Sequence, residues 1–320
     1  MKTILVTGAA GFIGQVVCQD LLKNVKVIAF DQNPLAESGK NYIPIKGNIA
    51  DKDRLKSICT EYSPDVVVHC AGIAHQNIFK PLDKDVYEDI NSLATKNLAE
   101  IASRVNSKVQ FIFLSSISVY GEMEKKCGID ETADCHPTSD YAVSKLNAET
   151  ALKNLYDNDS INKIDIFRLA PVYDRAWSLN LEKRVFGPKK LFYLKFGSGE
   201  QRMSILSRLN LVDFIRYRIE NYQGPGFNIF NVCDEKTCSF NEIIHIFQNS
   251  RVQANKGVVK IPLFFIRCVT MGAGLIFQSK AAWINSFYNK LATSLVFDNK
   301  HMLDTGFCPK HSLSSVFGKV

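Results

Sequence analysis

The strongest constraint on the fold lies within the first fourteen residues. A short β-branched run, Thr3–Thr7, ends in Gly8-Ala9-Ala10-Gly11-Phe12-Ile13-Gly14, and a helical pattern follows at once. Glycines spaced three apart between a strand and a helix let backbone N–H groups approach a pyrophosphate, while the helix N-terminus supplies partial positive charge. A Cβ there would block either the turn or the phosphate. The loop therefore predicts a dinucleotide contact at Gly8, Gly11, Phe12, Ile13 and Gly14.

The pattern downstream agrees. Strands are expected at Val25–Asp31, Tyr42–Lys46, Asp65–His69, Gln110–Ser115 and Ile164–Leu169, alternating with helices at Ile13–Lys23, Asp53–Tyr62, Val86–Val105 and Asp140–Tyr156. Repeated βαβ units imply a parallel sheet, and right-handed crossovers make it an α/β, Rossmann-type doubly wound sheet. Its ligand would lie beyond the carboxyl ends of the strands. Past Val172 the alternation gives way to a basic loop, a strand near Phe192–Phe196, a helix near Leu209–Glu220 and a strand at Phe227–Val232. The expected organisation is a nucleotide-binding domain over residues 1–172 and a smaller C-terminal α/β substrate lobe over 173–320, with interleaving strands allowed.

Asp31 closes the second strand, where an acidic side chain accepts hydrogen bonds from the adenosine ribose and repels a 2′-phosphate. Gln32 and Asn33 follow it, so no arginine stands ready for NADP, and NAD is the expected cofactor.

The fifth strand runs into Ser115-Ser116-Ile117-Ser118, and Tyr141-Ala142-Val143-Ser144-Lys145 comes about one strand–loop length later. The i, i+4 spacing puts Tyr141 and Lys145 on one helix face. A phenol with an ordinary pKa of about 10 is a poor base at neutral pH. Lys145 and a nicotinamide cation would both favour its anion, and Ser116 could hydrogen-bond the reacting oxygen. These are the expected catalytic residues of a hydride-transfer enzyme.

The glycine loop with the Ser116, Tyr141 and Lys145 set resembles the extended short-chain dehydrogenase/reductase family, in particular its nucleotide-sugar epimerase and dehydratase group. The resemblance covers nearly the whole chain and is strongest over the first 175 residues. It implies that Asn48-Ile49 lies near the adenine, that Cys70-Ala71-Gly72 lines the cofactor, and that Asn91 is a buried asparagine on the cofactor side. His69 and His75 are read as structural. Dehydratases of the group carry Asp-Glu directly after the catalytic hydroxyl, because elimination needs a further acid and base. Here those positions are Ile117 and Ser118, which favours redox at a single carbon. Pro171 replaces an asparagine that holds the substrate diphosphate in many relatives, and Met203 fills a usual arginine position with Arg202 one place early. Arg202, or the basic run Lys183, Arg184, Lys189 and Lys190, is the candidate diphosphate ligand, a solvated face being the alternative for the run.

The resemblance thus implies a 4-epimerase of a nucleotide- or lipid-diphosphate-linked hexose or N-acetylhexosamine, acting in bacterial surface polysaccharide synthesis. A 4-ketoreductase of a nucleotide-linked deoxy-amino sugar is the alternative. A non-catalytic NAD-sensing protein on the same fold is a third, against which the coexistence of Ser116, Tyr141 and Lys145 argues. A homodimer is an open expectation.

Bulk properties bound the rest. The net charge of +7 is modest for 320 residues and forms no basic arm or tail, so no nucleic-acid partner is expected. The nine cysteines contain no C-x-x-C pair and no zinc spacing, and they read as reduced thiols with no metal site. The first strand begins at Thr3, which leaves no leader segment, and a cytoplasmic protein is expected. The run Ile261–Phe277 is nearly all apolar but is opened by Pro262 and interrupted by Arg267, Gly272 and Gly274. It reads first as a buried helix of the second lobe. The alternative is a peripheral contact with the inner membrane face.

Overall fold

The computed structural model describes residues 1–74, 82–121, 128–222, 224–250, 256–276, 284, 288–289 and 291–318. His75, Cys127 and Phe277 lie outside the described residues. The chain divides into two compact units. The first comprises residues 1–121, 133–169 and 212–230, and the second 122–132, 170–211 and 231–320. The units interleave, because residues 212–230 return to the first after the second has begun.

The first unit holds a seven-stranded sheet. Its strands are β1 (Thr3–Thr7), β2 (Lys26–Asp31), β3 (Tyr42–Lys46), β4 (Val66–His69), β5 (Gln110–Ser116), β6 (Lys163–Leu169) and a last strand, Gly226–Val232. The order is β3-β2-β1-β4-β5-β6 and then Gly226–Val232, with parallel pairing from β3 through β6. The direction of winding reverses between β1 and β4, so the loops after these two strands flank the crevice where a ligand belongs.

The residues of β1, β2, β4, β5 and β6 are mostly β-branched, aliphatic or aromatic and buried almost throughout, as the inner strands of a parallel sheet require. Alternate residues Leu5, Ile28, Phe30, Val67, Phe111, Phe113, Ile164 and Ile166 share one core with Leu55, Ile58, Leu98, Ala102, Ala148 and Leu152. Those partners come from the helices α2 (Lys52–Tyr62), α4 (Ala94–Val105) and α5 (Asp140–Asp157); the remaining helices of this part of the chain are α1 (Gly14–Leu21) and a short α3 (Lys84–Tyr87). Each fully buried Leu, Ile, Val or Phe side chain among them contributes roughly 1.5–3 kcal/mol.

One element departs from its expected form. The stretch predicted as a single helix over Val86–Val105 is interrupted by a π turn at Glu88–Leu93 between α3 and α4. A π turn widens the helix by one residue per turn, which a 3.6-residue period does not register.

The second unit carries a separate core of Tyr173, Leu181, Val185, Tyr193, Met203, Ile205, Phe240, Ile243, Ile244, Phe247, Leu313 and Phe317. Its elements include β7 (Val172–Tyr173), α6 (Leu179–Val185), β8 (Tyr193–Phe196), β9 (Arg202–Met203) and β10 (Leu206–Ser207). The helix α7 (Arg208–Glu220) and the strand β11 (Gly226–Val232) are each assigned in part to both units, and β12 (Cys238–Ser239), α8 (Phe240–Asn249), β13 (Val258–Ile261) and α9 (Leu263–Ile276) belong to the second.

Two expectations are corrected here. Lys183 and Arg184 belong to α6 and not to a loop, and only Lys189 and Lys190 lie in the turn that follows. The apolar run beginning at Ile261 does form a helix, α9, but it is not a buried one: Phe264, Phe265, Cys268, Val269 and Met271 are exposed, and Thr270 alone is fully buried over residues 263–273. No helix among the described residues is long and apolar enough to cross a membrane.

Candidate active site

The carboxyl ends of β1, β2, β4 and β5 gather the residues singled out by the sequence. Gly8 takes a positive φ of 67°, and its amide-rich loop folds back so that the Gly11 N–H donates to the Gly8 carbonyl at 3.0 Å. A Cβ on Gly14 would lie 2.2 Å from that carbonyl, and one on Gly8 would lie 2.6 Å from the Ala71 nitrogen. The loop after β1 and the Cys70-Ala71-Gly72 turn after β4 are therefore in backbone contact. The helix α1 starts at Ile13-Gly14 with no side-chain cap, which leaves its N-terminus open to an anion.

Asp31 ends β2 buried, its Oδ2 accepting from Ala10 N at 3.0 Å and its Oδ1 from Asn33 N at 2.8 Å. The carboxylate thus fixes the glycine loop as well as standing where a ribose would bind. Asn48 lies in the turn after β3, exposed, with its Oδ1 accepting from Ala50 N, while Ile49 packs partly into the core. Gly47 N donates to the Asp31 carbonyl at 2.9 Å, which holds the start of this turn beside the acid. Bare Cα atoms in the loop, an uncapped helix start and a carboxylate at the end of β2 fit NAD.

Ser116 caps a short turn, Ile117–Tyr120, accepting from Ser118 N and bonded to Ser118 Oγ at 3.1 Å each. The Tyr141 phenol is near enough to this hydroxyl for the serine to lower its pKa. Tyr141 stands in the first turn of α5, whose N-cap is Ser139. Burial raises its pKa above the ordinary phenol value, Ser116 opposes the rise, and the nearby Tyr87 adds to it. In the protein by itself, desolvation outweighs the other influences on this phenol.

Lys145 lies one turn further along α5, buried, with Nζ donating to the Leu114 carbonyl at 2.9 Å and placed 4.6 Å from the Phe113 ring centroid. Burial lowers its pKa to about 8, against the raising influence of Cys70 and Glu149. A Cβ on Gly72 would come within 3.2 Å of Lys145 Nζ and 2.9 Å of Asn91 Oδ1, so this glycine adjoins both.

Asn91 is fully buried in the π turn. Its Oδ1 accepts from Ile73 N, and its Nδ2 donates to the Ile73 carbonyl and to Ser144 Oγ. His69, also fully buried, bridges Thr7 Oγ1 at 2.6 Å and Thr95 Oγ1 at 2.9 Å. Burial lowers its pKa to about 3, which keeps it neutral.

The structure adds residues that the sequence reading passed over. Behind Ser116, the adjacent Ser115 donates to Glu149, which forms a buried ion pair with Arg168 at 2.7 Å. Arg168 also lies 4.8 Å from the Tyr120 ring centroid. It joins β6 to α5 through this pair. Glu149 follows Lys145 by four positions and Tyr141 by eight, a helical spacing that could have revealed it. Tyr87 is buried with an unpartnered hydroxyl, its ring 6.5 Å from that of Tyr141, and it precedes Asn91 by four positions.

Of the candidate substrate residues, Ser116 lies in the first unit and Arg202 and Lys183 in the second. Arg202 donates from Nε to Thr237 Oγ1 and from Nη2 to the Thr237 carbonyl and to Glu242. Lys183 is exposed on α6. Eight described cysteines are free, and no group of three or more metal-ligating side chains occurs among the described residues.

A family model described as NAD dependent epimerase/dehydratase matches residues 4–233. A UDP-glucose 4-epimerase of Vibrio cholerae is 29% identical, aligned over 99% of this chain and 93% of its own. An N-acetyl-alpha-D-glucosaminyl-diphospho-ditrans,octacis-undecaprenol 4-epimerase of Escherichia coli O157:H7 is 26% identical over 75% of this chain and 70% of its own. Among solved structures, UDP-glucuronic acid 4-epimerase from Bacillus cereus in complex with NAD has a TM-score of 0.73 at 24% identity, covering 98% of this chain and 96% of that one. This last likeness is one of fold.

Proposed function

Since the chain belongs to the NAD dependent epimerase/dehydratase family, we propose that it is a 4-epimerase of a hexose or N-acetylhexosamine carried on a nucleotide or lipid diphosphate, serving surface polysaccharide synthesis. It is an enzyme of the extended short-chain dehydrogenase/reductase type, and NAD is its cofactor. When bound, NAD supplies the acceptor and donor of hydride.

The observation that carries the reading is the composition of the Ser116 end of β5. One phenol, one ammonium and one hydroxyl meet there, and positions 117 and 118 offer Ile and Ser where elimination would need a carboxyl pair. We assign to Tyr141 the proton of the sugar hydroxyl, to Ser116 a hydrogen bond to the same oxygen, and to Lys145 the cationic charge beside it. Gly8, Gly11, Phe12, Ile13, Gly14, Asp31, Asn48, Ile49, Cys70, Ala71, Gly72 and Asn91 are assigned to the cofactor together with Tyr141 and Lys145. A 4-epimerase takes the proton and gives it back on the same centre, so one acid/base group suffices.

For the substrate diphosphate, Lys183 is exposed and has no partner among the described residues, whereas Arg202 must first give up Thr237 and Glu242. A homodimer accompanies the reading. A lipid-linked substrate would require the protein to reach a bilayer, and 261–277 is the segment we assign to that peripheral contact.

The test is the cofactor released from protein purified without additions, combined with NMR of UDP-N-acetylglucosamine and of its polyprenyl diphosphate counterpart after incubation. Retained NAD and C4 inversion without added cofactor are expected. An empty site with NADH consumption on a 4-keto sugar would make it a reductase instead, and bound NAD with no turnover on any sugar would favour a sensing role.

A further inference from the structure

The helix α9 is built against the usual pattern of a surface helix. Leu263, Ile266, Thr270 and Ala273 are its buried or half-buried residues, and at 100° per residue they form one seam about 80° wide. Leu263 rests over the Gly197 backbone, where an added Cβ would lie 2.9 Å from it. The exposed residues span roughly 200°, an arc that should be polar on a water-facing helix. It carries Phe264, Phe265, Cys268, Val269 and Met271 instead, with 77%, 67%, 61% and 57% exposure for the two phenylalanines, Val269 and Met271. The preceding strand β13, paired in parallel with β8, leaves Val258 and Val259 exposed as well. Isolated apolar residues on a surface are ordinary, but a contiguous patch of this kind marks an interaction face.

The charge around this face says what covers it. Residues 243–297 contain no Asp or Glu, while Arg251, Lys256, Lys260, Arg267, Lys280 and Lys290 lie among them. The rest of the chain is then close to neutral, with 33 Lys and Arg against 32 Asp and Glu. Almost the whole net charge of +7 therefore sits in the segment that contains the apolar face. Lys260 is exposed at the end of β13, and Arg267 projects beside the arc, its guanidinium 5.0 Å from the Tyr288 ring centroid.

We propose that α9 and β13 form a docking surface for an anionic lipid bilayer, with Phe264, Phe265, Val269 and Met271 entering the headgroup and acyl boundary and Lys260 and Arg267 meeting the lipid phosphates. Apolar side chains beside cations in a segment free of acids are the composition that interfacial binding needs. A second copy of this chain fits less well, because a symmetric contact would oppose Lys260 and Arg267 to their own duplicates. At about 1.5 Å per residue, the fourteen residues of α9 reach roughly 21 Å. Over its described residues that is short of the ~30 Å hydrocarbon core, and the contact proposed is one along the bilayer surface.

Co-sedimentation of the full chain with phosphatidylcholine vesicles, with and without phosphatidylglycerol, tests this. Binding is expected only with the anionic lipid and should weaken as salt is raised. Lys260→Gln with Arg267→Gln should lower the partition about 25-fold, from about fivefold per cation. Phe264→Asp with Phe265→Asp should abolish binding while leaving NAD affinity intact. The proposal is overturned if the wild type stays in the supernatant or binds both vesicle types equally. It is equally overturned if the phenylalanine variant converts a dimer to a monomer, since a second copy then covers the face, or fails to fold, since the rings then serve a core. Partition is read without turnover, so an inactive protein that binds vesicles would sink the epimerase reading alone. An active one that ignores vesicles would sink this one alone.

Discussion

Asn91 donates from Nδ2 to Ser144 Oγ at 3.0 Å, and Ser144 donates in turn to the Tyr141 carbonyl at 2.9 Å. The same asparagine grips both backbone groups of Ile73 just beyond β4. One buried amide thus ties the segment after β4 to the first turn of the helix that bears the phenol. Asn91→Ala should leave those groups unpaired, at about 1–3 kcal/mol each in stability. Turnover is expected to fall tenfold or more. Asn91→Asp keeps the acceptor for Ile73 N but loses both donors, and should fall between wild type and alanine. Equal turnover in all three proteins would dissociate Asn91 from the site.

Tyr141→Phe removes only the phenolic oxygen. NAD should still bind, while kcat should drop by a factor of about 10²–10⁴, the range for loss of a general acid/base. A variant that kept more than about a tenth of the wild-type rate would show that the proton is carried by another group.

Asp31 holds Ala10 N and Asn33 N with its two oxygens. Charge-assisted bonds of this kind contribute about 1.5–3 kcal/mol, so Asp31→Ala should weaken NAD by roughly tenfold or more through a loosened loop and a lost ribose acceptor. The preference for NAD over NADP should narrow, because a repelling charge has gone. Calorimetric titration with both dinucleotides reads this, and unchanged affinities would exclude the carboxylate from the site.

His69 gives the pH dependence. Its pKa falls from 6.5 to about 3 in the folded protein because burial disfavours the cation. Below pH 6.5 the unfolded chain takes up a proton that the folded chain refuses, so stability is full above that pH and declines as pH falls toward 3. The limiting slope for this one group is about 1.4 kcal/mol per pH unit. Chemical denaturation across pH 4–6.5 should therefore give a flatter profile for His69→Gln than for wild type. Superimposable slopes would mean that the imidazole is protonated without cost.

The sequence by itself determined the framework. Glycines at 8, 11 and 14, Asp31 at a strand end and the Tyr141–Lys145 spacing are local signals, since each depends on a turn, a strand boundary or a single helix face. The parallel sheet was legible for the same reason, as unbroken β-branched runs occur where both faces are buried. Tertiary structure alone decided the rest. The π turn that seats Asn91 inserts a residue that no helical period registers, and the Glu149–Arg168 pair forms between a helix and a strand nineteen residues apart. The return of residues 212–230 to the first unit depends on long-range packing, and so does the exposure of α9. A run of apolar residues reads alike whether it is covered or bare, because hydrophobicity states only a preference for burial and the surrounding chain decides whether a partner is at hand.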